Sequence, residues 1–302
     1  MEVLRLLEKI RTPFLDKIML MLTNLGDEIP LIVVALVFFW CIDKRKAYYI
    51  ISVGFIGLFA NQFMKMLFRV PRPWIRDPSL HTVVEAKTGA GGYSFPSGHS
   101  QNSVGVFGSV AALTRQKLIR IICICICIVV PFTRLYLGVH TLADVLVGSG
   151  LAVALIFLIK PLIFGKDGKR IPNVLIFMTA WSIAYLAFVY LWPNVVEITE
   201  ENLNSAMKNA YTIVGCLVGF LIAYLIDEKW IRFSVDAVWW AQIIKVFVGL
   251  LLVLAVRKGF SVPLAYLFGE YPGRMIRYFL IVVVAGIAWP LTFQYFPKRK
   301  RG

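Results

Sequence analysis

Long apolar runs separated by short polar connections dominate the chain. Segments 47–64, 141–159, 174–192, 210–226 and 276–294 each approach the roughly 20 apolar residues that a helix needs to cross a bilayer. Shorter or interrupted runs lie at 29–42, 98–114, 118–137 and 238–256. Backbone polar groups find no water in hydrocarbon, so the pattern predicts an all-α, polytopic transmembrane bundle of about eight or nine helices. Residues 1–26 differ: Arg5, Lys9, Arg11 and Lys17 are interleaved with leucines and Pro13. This stretch has no basic start, short apolar core and small-residue cleavage site, and it reads as an interfacial amphipathic helix rather than a cleavable signal.

Composition supports the membrane reading: 59% of the 302 residues are hydrophobic and only 16% charged, where a soluble domain is nearer half apolar and a quarter charged. The five cysteines all fall in apolar runs, and Cys123, Cys125 and Cys127 turn to different faces of a helix with no histidine near. They read as packing residues, neither a metal site nor a disulfide framework. The net charge of +15 does not point to nucleic acid, because its positions follow the spans. Lys44–Lys46, then Arg115, Lys117 and Arg120, then Lys160, Lys166, Lys169 and Arg170, and finally Lys298–Arg301 occupy alternate connections, as cytoplasmic loops should. The stretch bearing Glu197, Glu200 and Glu201 then faces outside. With nine spans the N-terminus is out and the C-terminus in. Two basic segments, 65–87 and 257–277, break this alternation, and only the first finds a role in the chemistry below.

Residues 67–96 form the longest stretch without an apolar run, punctuated by Pro71, Pro73 and Pro78 and then Gly89, Gly91 and Gly92. A loop of that length in a compact protein usually carries function. After Pro172 about four more apolar segments carry no comparable motif. The expected division is therefore a catalytic membrane domain, 1–165, and a C-terminal membrane extension, 166–302.

Three short clusters fall on one face of the predicted bundle. Lys65 closes the second span, and Arg72-Pro73 follows. Pro96-Ser97-Gly98-His99 opens the third, Arg134 ends the fourth, and His140 and Asp144 enter the fifth. Charge counting puts that face outside the cell. The residue types suit a phosphate ester: Lys65, Arg72 and Arg134 can neutralise a dianion, with arginine binding two oxygens at once. Ser97 and Gly98 sit at an expected helix start, where backbone N–H groups point at an anion. His140 and Asp144 are four apart and share a helix face, so the carboxylate can orient the imidazole. His99 is left to protonate a leaving alkoxide.

Each part also has a plainer reading. Lys65 and Arg69 can snorkel at a helix end, Ser97 to Ser100 can be a helix cap, and His140 with Asp144 can be a structural pair. Ionisable groups near a membrane interior are costly and usually functional, which favours the catalytic reading of the last. His81, the third histidine, reads as solvated or in contact with headgroups.

Taken together, Lys65-x6-Arg72-Pro73, Pro96-Ser97-Gly98-His99 and Arg134-x5-His140-x3-Asp144 resemble the three-part motif of the type 2 phosphatidic acid phosphatase superfamily, which also holds the vanadium haloperoxidases. The resemblance covers about residues 12–160. It implies a helical core with its site at the membrane surface and metal-independent hydrolysis without a cofactor. By this match His140 is the nucleophile that forms a phosphohistidine, His99 the acid for the leaving group and Asp144 the group that orients His140. Lys65, Arg72, Ser97, Gly98 and Arg134 hold the phosphate. Thr133 departs from the family's usual serine, and its hydroxyl is expected to reach a phosphate oxygen all the same.

The favoured expectation is a lipid phosphate phosphohydrolase in the cell membrane. Its substrates would resemble the family's usual ones: phosphatidate, phosphatidylglycerol phosphate, polyprenyl diphosphate or a sphingoid phosphate. Two alternatives stay open. A phosphotransferase would use the same residues but depend on an acceptor other than water. A non-catalytic transporter would bind or flip a lipid phosphate without needing His140. A haloperoxidase is expected on a soluble chain.

Overall fold

A computed structural model describes residues 1–165 and 169–298. Lys166 and the basic tail residues 299–301, two of the sites used to orient the chain, lie outside the described residues. The fold is all-α, with no strand among the described residues. Fourteen helices follow in order: α1 Glu2–Glu8, α2 Pro13–Thr23, α3 Glu28–Val37, α4 Lys44–Phe68, α5 Pro73–Arg76, α6 Val84–Thr88, α7 Gly98–Leu113, α8 Lys117–Tyr136, α9 Leu142–Phe164, α10 Ile171–Leu191, α11 Glu200–Ile226, α12 Trp239–Gly259, α13 Ser261–Phe268 and α14 Glu270–Val283.

Among the described residues seven helices are long and apolar enough to cross a membrane, built on α4, α8, α9, α10, α11, α12 and α14. The pair Pro13–Gly26 and Glu28–Ile42, bent by 45°, makes an eighth if it acts as one span. The shortfall from nine lies at α7. Its 16 residues extend about 24 Å at 1.5 Å per residue, short of the roughly 30 Å of hydrocarbon. Its surroundings also explain it: Ser100, Gln101, Ser103 and Ser109 are fully buried in protein. Residues 98–113 therefore form a short helix enclosed by protein that runs alongside α8 and delivers its N-terminus to the site. The N-terminal region likewise does more than lie at an interface. Arg5 pairs with Asp77 at 2.6 Å, Glu8 with His81 at 2.7 Å, and Arg11 donates to the carbonyl of Tyr136 at 2.7 Å. Residues 1–23 thus strap the loop that follows α5.

The chain forms two compact units, one of Met1–Ile32, Val53–Pro161 and Glu197–Ala206, the other of Val33–Ser52, Leu162–Val196 and Met207–Gly302. The division interleaves where side chains demand it. Glu197–Ala206 joins the first unit through Arg69, which donates to the Glu197 carbonyl at 3.4 Å. In the second unit Trp40 donates to the Ala285 carbonyl at 2.8 Å, and Tyr48 packs on Phe220 and Tyr224 at 5.5 and 5.3 Å. There Lys44 pairs with the buried Asp227 at 2.6 Å.

Candidate active site

The site lies in the first unit, where one end each of α4, α7, α8 and α9 meets the loop 69–97. Backbone turns aim the side chains. α4 closes at Arg69 in the left-handed region, φ +49°, with its N–H returned to the Lys65 carbonyl at 3.0 Å. This reverses the chain towards Arg72. Between α8 and α9 Gly138 takes φ +78°, a value that glycine adopts without steric cost. A Cβ there would stand 2.9 Å from Arg11 Nη2. α9 approaches the start of α7 at Gly148, where a Cβ would lie 2.6 Å from the Ser97 carbonyl oxygen. That oxygen belongs to the backbone and cannot rotate away.

Arg72 is the most connected side chain. Its Nε donates to the Gly92 carbonyl at 2.9 Å and its Nη2 to the Gly91 carbonyl at 2.8 Å. Its Nη1 donates to the Val139 carbonyl at 3.2 Å and to His140 Nε2 at 2.9 Å. A guanidinium only donates, so His140 Nε2 accepts here and carries a lone pair. The ring proton then sits on Nδ1, which faces Ser94 Oγ at 3.4 Å and Asp144 Oδ2 at 3.5 Å. The same Asp144 oxygen accepts from Ser94 Oγ at 2.6 Å and from the Thr141 N–H at 2.7 Å. Two donors thus converge on one carboxylate oxygen, with the His140 ring nitrogen 3.5 Å away, and hold it in place.

Lys65 donates to the carbonyls of Tyr93 and, at 3.4 Å, Ser94. Arg134 Nη1 donates to Thr23 Oγ1 at 2.8 Å, while its Nε is buried with no hydrogen-bond partner among the described residues. Lys65, Arg72, Arg134, His140 and Asp144 are all under 10% exposed. Three buried cations against one buried carboxylate leave an excess of positive charge, and a bound anion would relieve it. Burial, joined by the charges of Arg72, Arg134, Lys65 and His99, pushes the His140 imidazolium well below its ordinary pKa. The neutral ring is therefore the favoured form.

Ser97 caps α7, accepting from the Ser100 N–H at 3.4 Å, and Gly98 opens the helix. The Ser97 N–H, expected to face an anion, instead donates to the Asp144 carbonyl at 2.9 Å. It ties α7 to α9. Thr133 also departs from expectation: its buried hydroxyl donates to the Val130 carbonyl at 2.6 Å, one turn back in α8. His99 Nε2 lies 2.9 Å from Asp27 Oδ1. His81 is 90% exposed in its side chain, as expected of a solvated residue.

Sequence reading missed three groups. Asp27, between the short turn Asn24–Gly26 and α3, is 72 residues from His99, and no local spacing links them. Ser94 lies inside the long loop without a motif of its own. The carbonyls of Gly91 and Gly92 are backbone atoms, invisible as residue types.

Comparison with known proteins identifies the family. The family model of the PAP2 superfamily matches residues 45–167, which include every group from Lys65 to Asp144. That of the PAP2 superfamily phosphatase transmembrane extension matches residues 211–301. Phosphatidylglycerophosphatase B of Bacillus subtilis is 33% identical over 167 residues, 50% of this chain and 76% of that protein. Undecaprenyl-diphosphatase BcrC of the same organism is 30% identical over 144 residues, 47% of this chain and 70% of that protein. The crystal structure of a transmembrane PAP2 type phosphatidylglycerolphosphate phosphatase from Bacillus subtilis is 29% identical, spans 53% of this chain and 81% of its own, and superposes with a TM-score of 0.45. With buried cations gathered around a neutral histidine on a bundle of apolar helices, and with relatives matched over most of their length, this integral membrane phosphatase belongs to the PAP2 superfamily.

Proposed function

We propose that this lipid phosphate phosphatase acts through a phosphohistidine on His140 Nε2, without a metal ion. The observation that carries the reading is the bond from Arg72 to His140 Nε2 at 2.9 Å, with Asp144 and Ser94 on the opposite ring nitrogen. It keeps the proton on Nδ1 and the lone pair on Nε2, which becomes the attacking atom once a phosphoryl oxygen takes the Arg72 donor in its place. Attack of Nε2 on phosphorus forms the N–P bond as the P–O bond to the lipid breaks. His99 gives its proton to the leaving alkoxide, which departs as the lipid alcohol. Water then attacks phosphorus, passing a proton to His99; the N–P bond breaks, and inorganic phosphate leaves with His140 neutral again. Lys65, Arg72 and Arg134 supply the positive charge that a metal ion would otherwise bring to the phosphoryl oxygens. Ser97 and Gly98, at the start of α7, are assigned with them to the phosphate, with Ser97 tying α7 to Asp144.

Asp27 extends the assignment. Burial and the Arg134 charge push the His99 imidazolium below its ordinary pKa. The Asp27 carboxylate, 2.9 Å from His99 Nε2, opposes that shift and so supports the protonated ring needed for the first step, a positioning role through His99. The substrate is a terminal phosphate on a membrane lipid, a phosphomonoester or diphosphate, the two kinds that the names of the matched relatives describe. The site opens to the outer face of the cell membrane, a placement supported by the basic connections that alternate with it. Labelling Thr88→Cys from outside intact cells, in a cysteine-free background, tests that side.

The deciding assay is phosphate release from a panel of lipid mono- and diphosphates in detergent with EDTA. Wild-type release is expected to survive chelation, and His140→Ala to lower it by roughly 10⁴-fold or more. Acid-labile label trapped on the wild type alone would mark the covalent step. Release that persists in His140→Ala would sink the nucleophile assignment.

A further inference from the structure

The basic stretch 257–277, unexplained by the alternation of loop charges, closes into a pocket within the second unit. α12 ends at Gly259, the eight-residue α13 crosses over, and α14 returns from Glu270. Arg257, Lys258, Ser261, Arg274, Arg277 and Tyr278 line one cavity of about 400 Å³. This volume is within the usual range for small-ligand sites, roughly 300–1,000 Å³. Four cations, a hydroxyl and a phenol face it, and no carboxylate among the described residues lines it. Glu270, at the start of the same helix, is engaged by Lys208 at 2.8 Å.

The arginines are held in position rather than splayed into solvent. Arg274 Nε donates to Thr212 Oγ1 at 2.6 Å and Arg277 to Ser261 Oγ. Both guanidinium groups lie over the ring of buried Tyr278, at 5.3 and 5.4 Å. Loop charges that only orient a chain in the membrane need not converge; these converge on one cavity. The lining holds no histidine, cysteine or carboxylate, so the pocket has groups to bind a phosphate and none to cleave it.

The wall of this region identifies what carries the phosphate. α13 leaves Val262, Tyr266, Leu267 and Phe268 more than half exposed, and Phe260 precedes them. A short helix with bare apolar and aromatic side chains beside a basic cluster is the pattern of a segment lying in the headgroup region. A phosphate in the cavity would have its acyl chains alongside these residues. We infer that the cavity bounded by α12, α13 and α14 is a binding site for the phosphate of an anionic phospholipid, retained and not hydrolysed.

The test uses the full chain in neutral detergent, titrated with phosphatidylglycerol, phosphatidylcholine or inorganic phosphate, with thermal unfolding and native mass spectrometry as readouts. Phosphatidylglycerol is expected to raise Tm and stay bound as one lipid per chain, and phosphatidylcholine to do neither. Each charge removed near a membrane surface weakens binding about fivefold. Lys258→Gln should therefore raise the apparent Kd about fivefold, and Arg257→Gln with Lys258→Gln about 25-fold. Neither should change cleavage of a water-soluble phosphate ester, which also reports that the variants are folded. If the double variant does not fold, the exposed Lys258 substitution alone decides. An unchanged phosphatidylglycerol affinity in these variants, or equal binding of phosphatidylcholine, overturns the site. A Tm rise with inorganic phosphate that phosphatidylglycerol does not reproduce overturns the lipid assignment. Loss of catalysis in His140→Ala with lipid retention intact would keep this site separate from the catalytic reading.

Discussion

Two groups of cations sit at helix ends in this chain, and they are built differently. In the first unit Lys65, Arg72 and Arg134 are buried; Lys65 and Arg72 donate largely to backbone carbonyls, and Arg134 to the Thr23 hydroxyl. In the second unit Arg257, Arg274 and Arg277 are half-buried and Lys258 exposed, and two arginines rest on hydroxyls and an aromatic face. Backbone carbonyls fix the direction of a donor, whereas a hydroxyl rotates and a ring face tolerates sliding. The first group is suited to holding a phosphoryl group in one geometry while bonds change. The second is suited to attracting an anion of loosely defined shape. Charge alone does not separate the two functions; what the cation is tied to does.

The strongest way to break this comparison is to keep charge and remove geometry. Arg72→Lys retains the cation but cannot make the four bonds to Gly91, Gly92, Val139 and His140. Its kcat is expected to fall by roughly 10² to 10³-fold, the usual cost of losing an aimed donor in a preorganised site. Arg257→Lys in the second group should change phospholipid affinity by less than about threefold, because only charge is needed there. Steady-state phosphate release and lipid titration measure the two. Near wild-type turnover in Arg72→Lys would reduce the first group to simple electrostatics.

Asp27 offers the next largest effect. Its carboxylate supports protonated His99, so Asp27→Asn should lower kcat about 10- to 100-fold for lipid phosphates, whose alkoxides need a proton to leave. For p-nitrophenyl phosphate, whose phenolate leaves unaided, the loss should be a few-fold at most. A structural defect would slow both substrates alike. An equal loss on the two would therefore remove Asp27 from the proton pathway.

These residues mark the limit of what the chain reveals when read as a string. Most spans were legible because they are long apolar runs, and the core of the site because its residues keep fixed local spacings. His140 and Asp144, four apart, needed only helix geometry. For α7, an apolar run of moderate length does not say whether protein or lipid surrounds it; its buried serines and Gln101 do. Asp27 and Ser94 depend on contacts across 72 and 50 residues, which no periodicity encodes. Asp27 also lies upstream of the span 45–167 matched by the family model. The cavity formed by 257–278 was visible only as a charge excess, because its convergence depends on α13 turning the chain back.

pH separates the groups further. Burial and the neighbouring cations depress the His140 pKa below its ordinary 6.5. Its proton is lost at lower pH than from a free histidine, so the neutral nucleophile persists as the solution becomes acidic. The acidic limb of kcat/KM governed by His140 should therefore lie below pH 6.5, leaving activity at pH 6 within a few-fold of that at pH 7. The same shift has a stability consequence. Below pH 6.5 the unfolded chain takes up a proton that the folded His140 resists, so stability from this group is full above that pH and declines as pH falls. An acidic limb above 6.5 in the free enzyme would mean that Asp144 dominates the surrounding cations.

The smallest effect is expected at Thr133, next to Arg134. The hydroxyl donates to the Val130 carbonyl at 2.6 Å and is fully buried, so its proton is already committed within α8. A hydroxyl in that position satisfies a backbone carbonyl and has none left to donate towards a phosphate. Thr133→Ser preserves this bond and removes only a methyl group, and kcat should stay within about twofold of wild type. Thr133→Val removes the donor while nearly keeping the shape, leaving a carbonyl that already accepts within the helix. It too should affect turnover little, with any cost appearing as a lower Tm. A tenfold loss of kcat in Thr133→Val at unchanged Tm would show that the hydroxyl turns to the phosphate during the reaction. The rigidity assigned here to the first group would then not extend to the helix turn that carries Arg134.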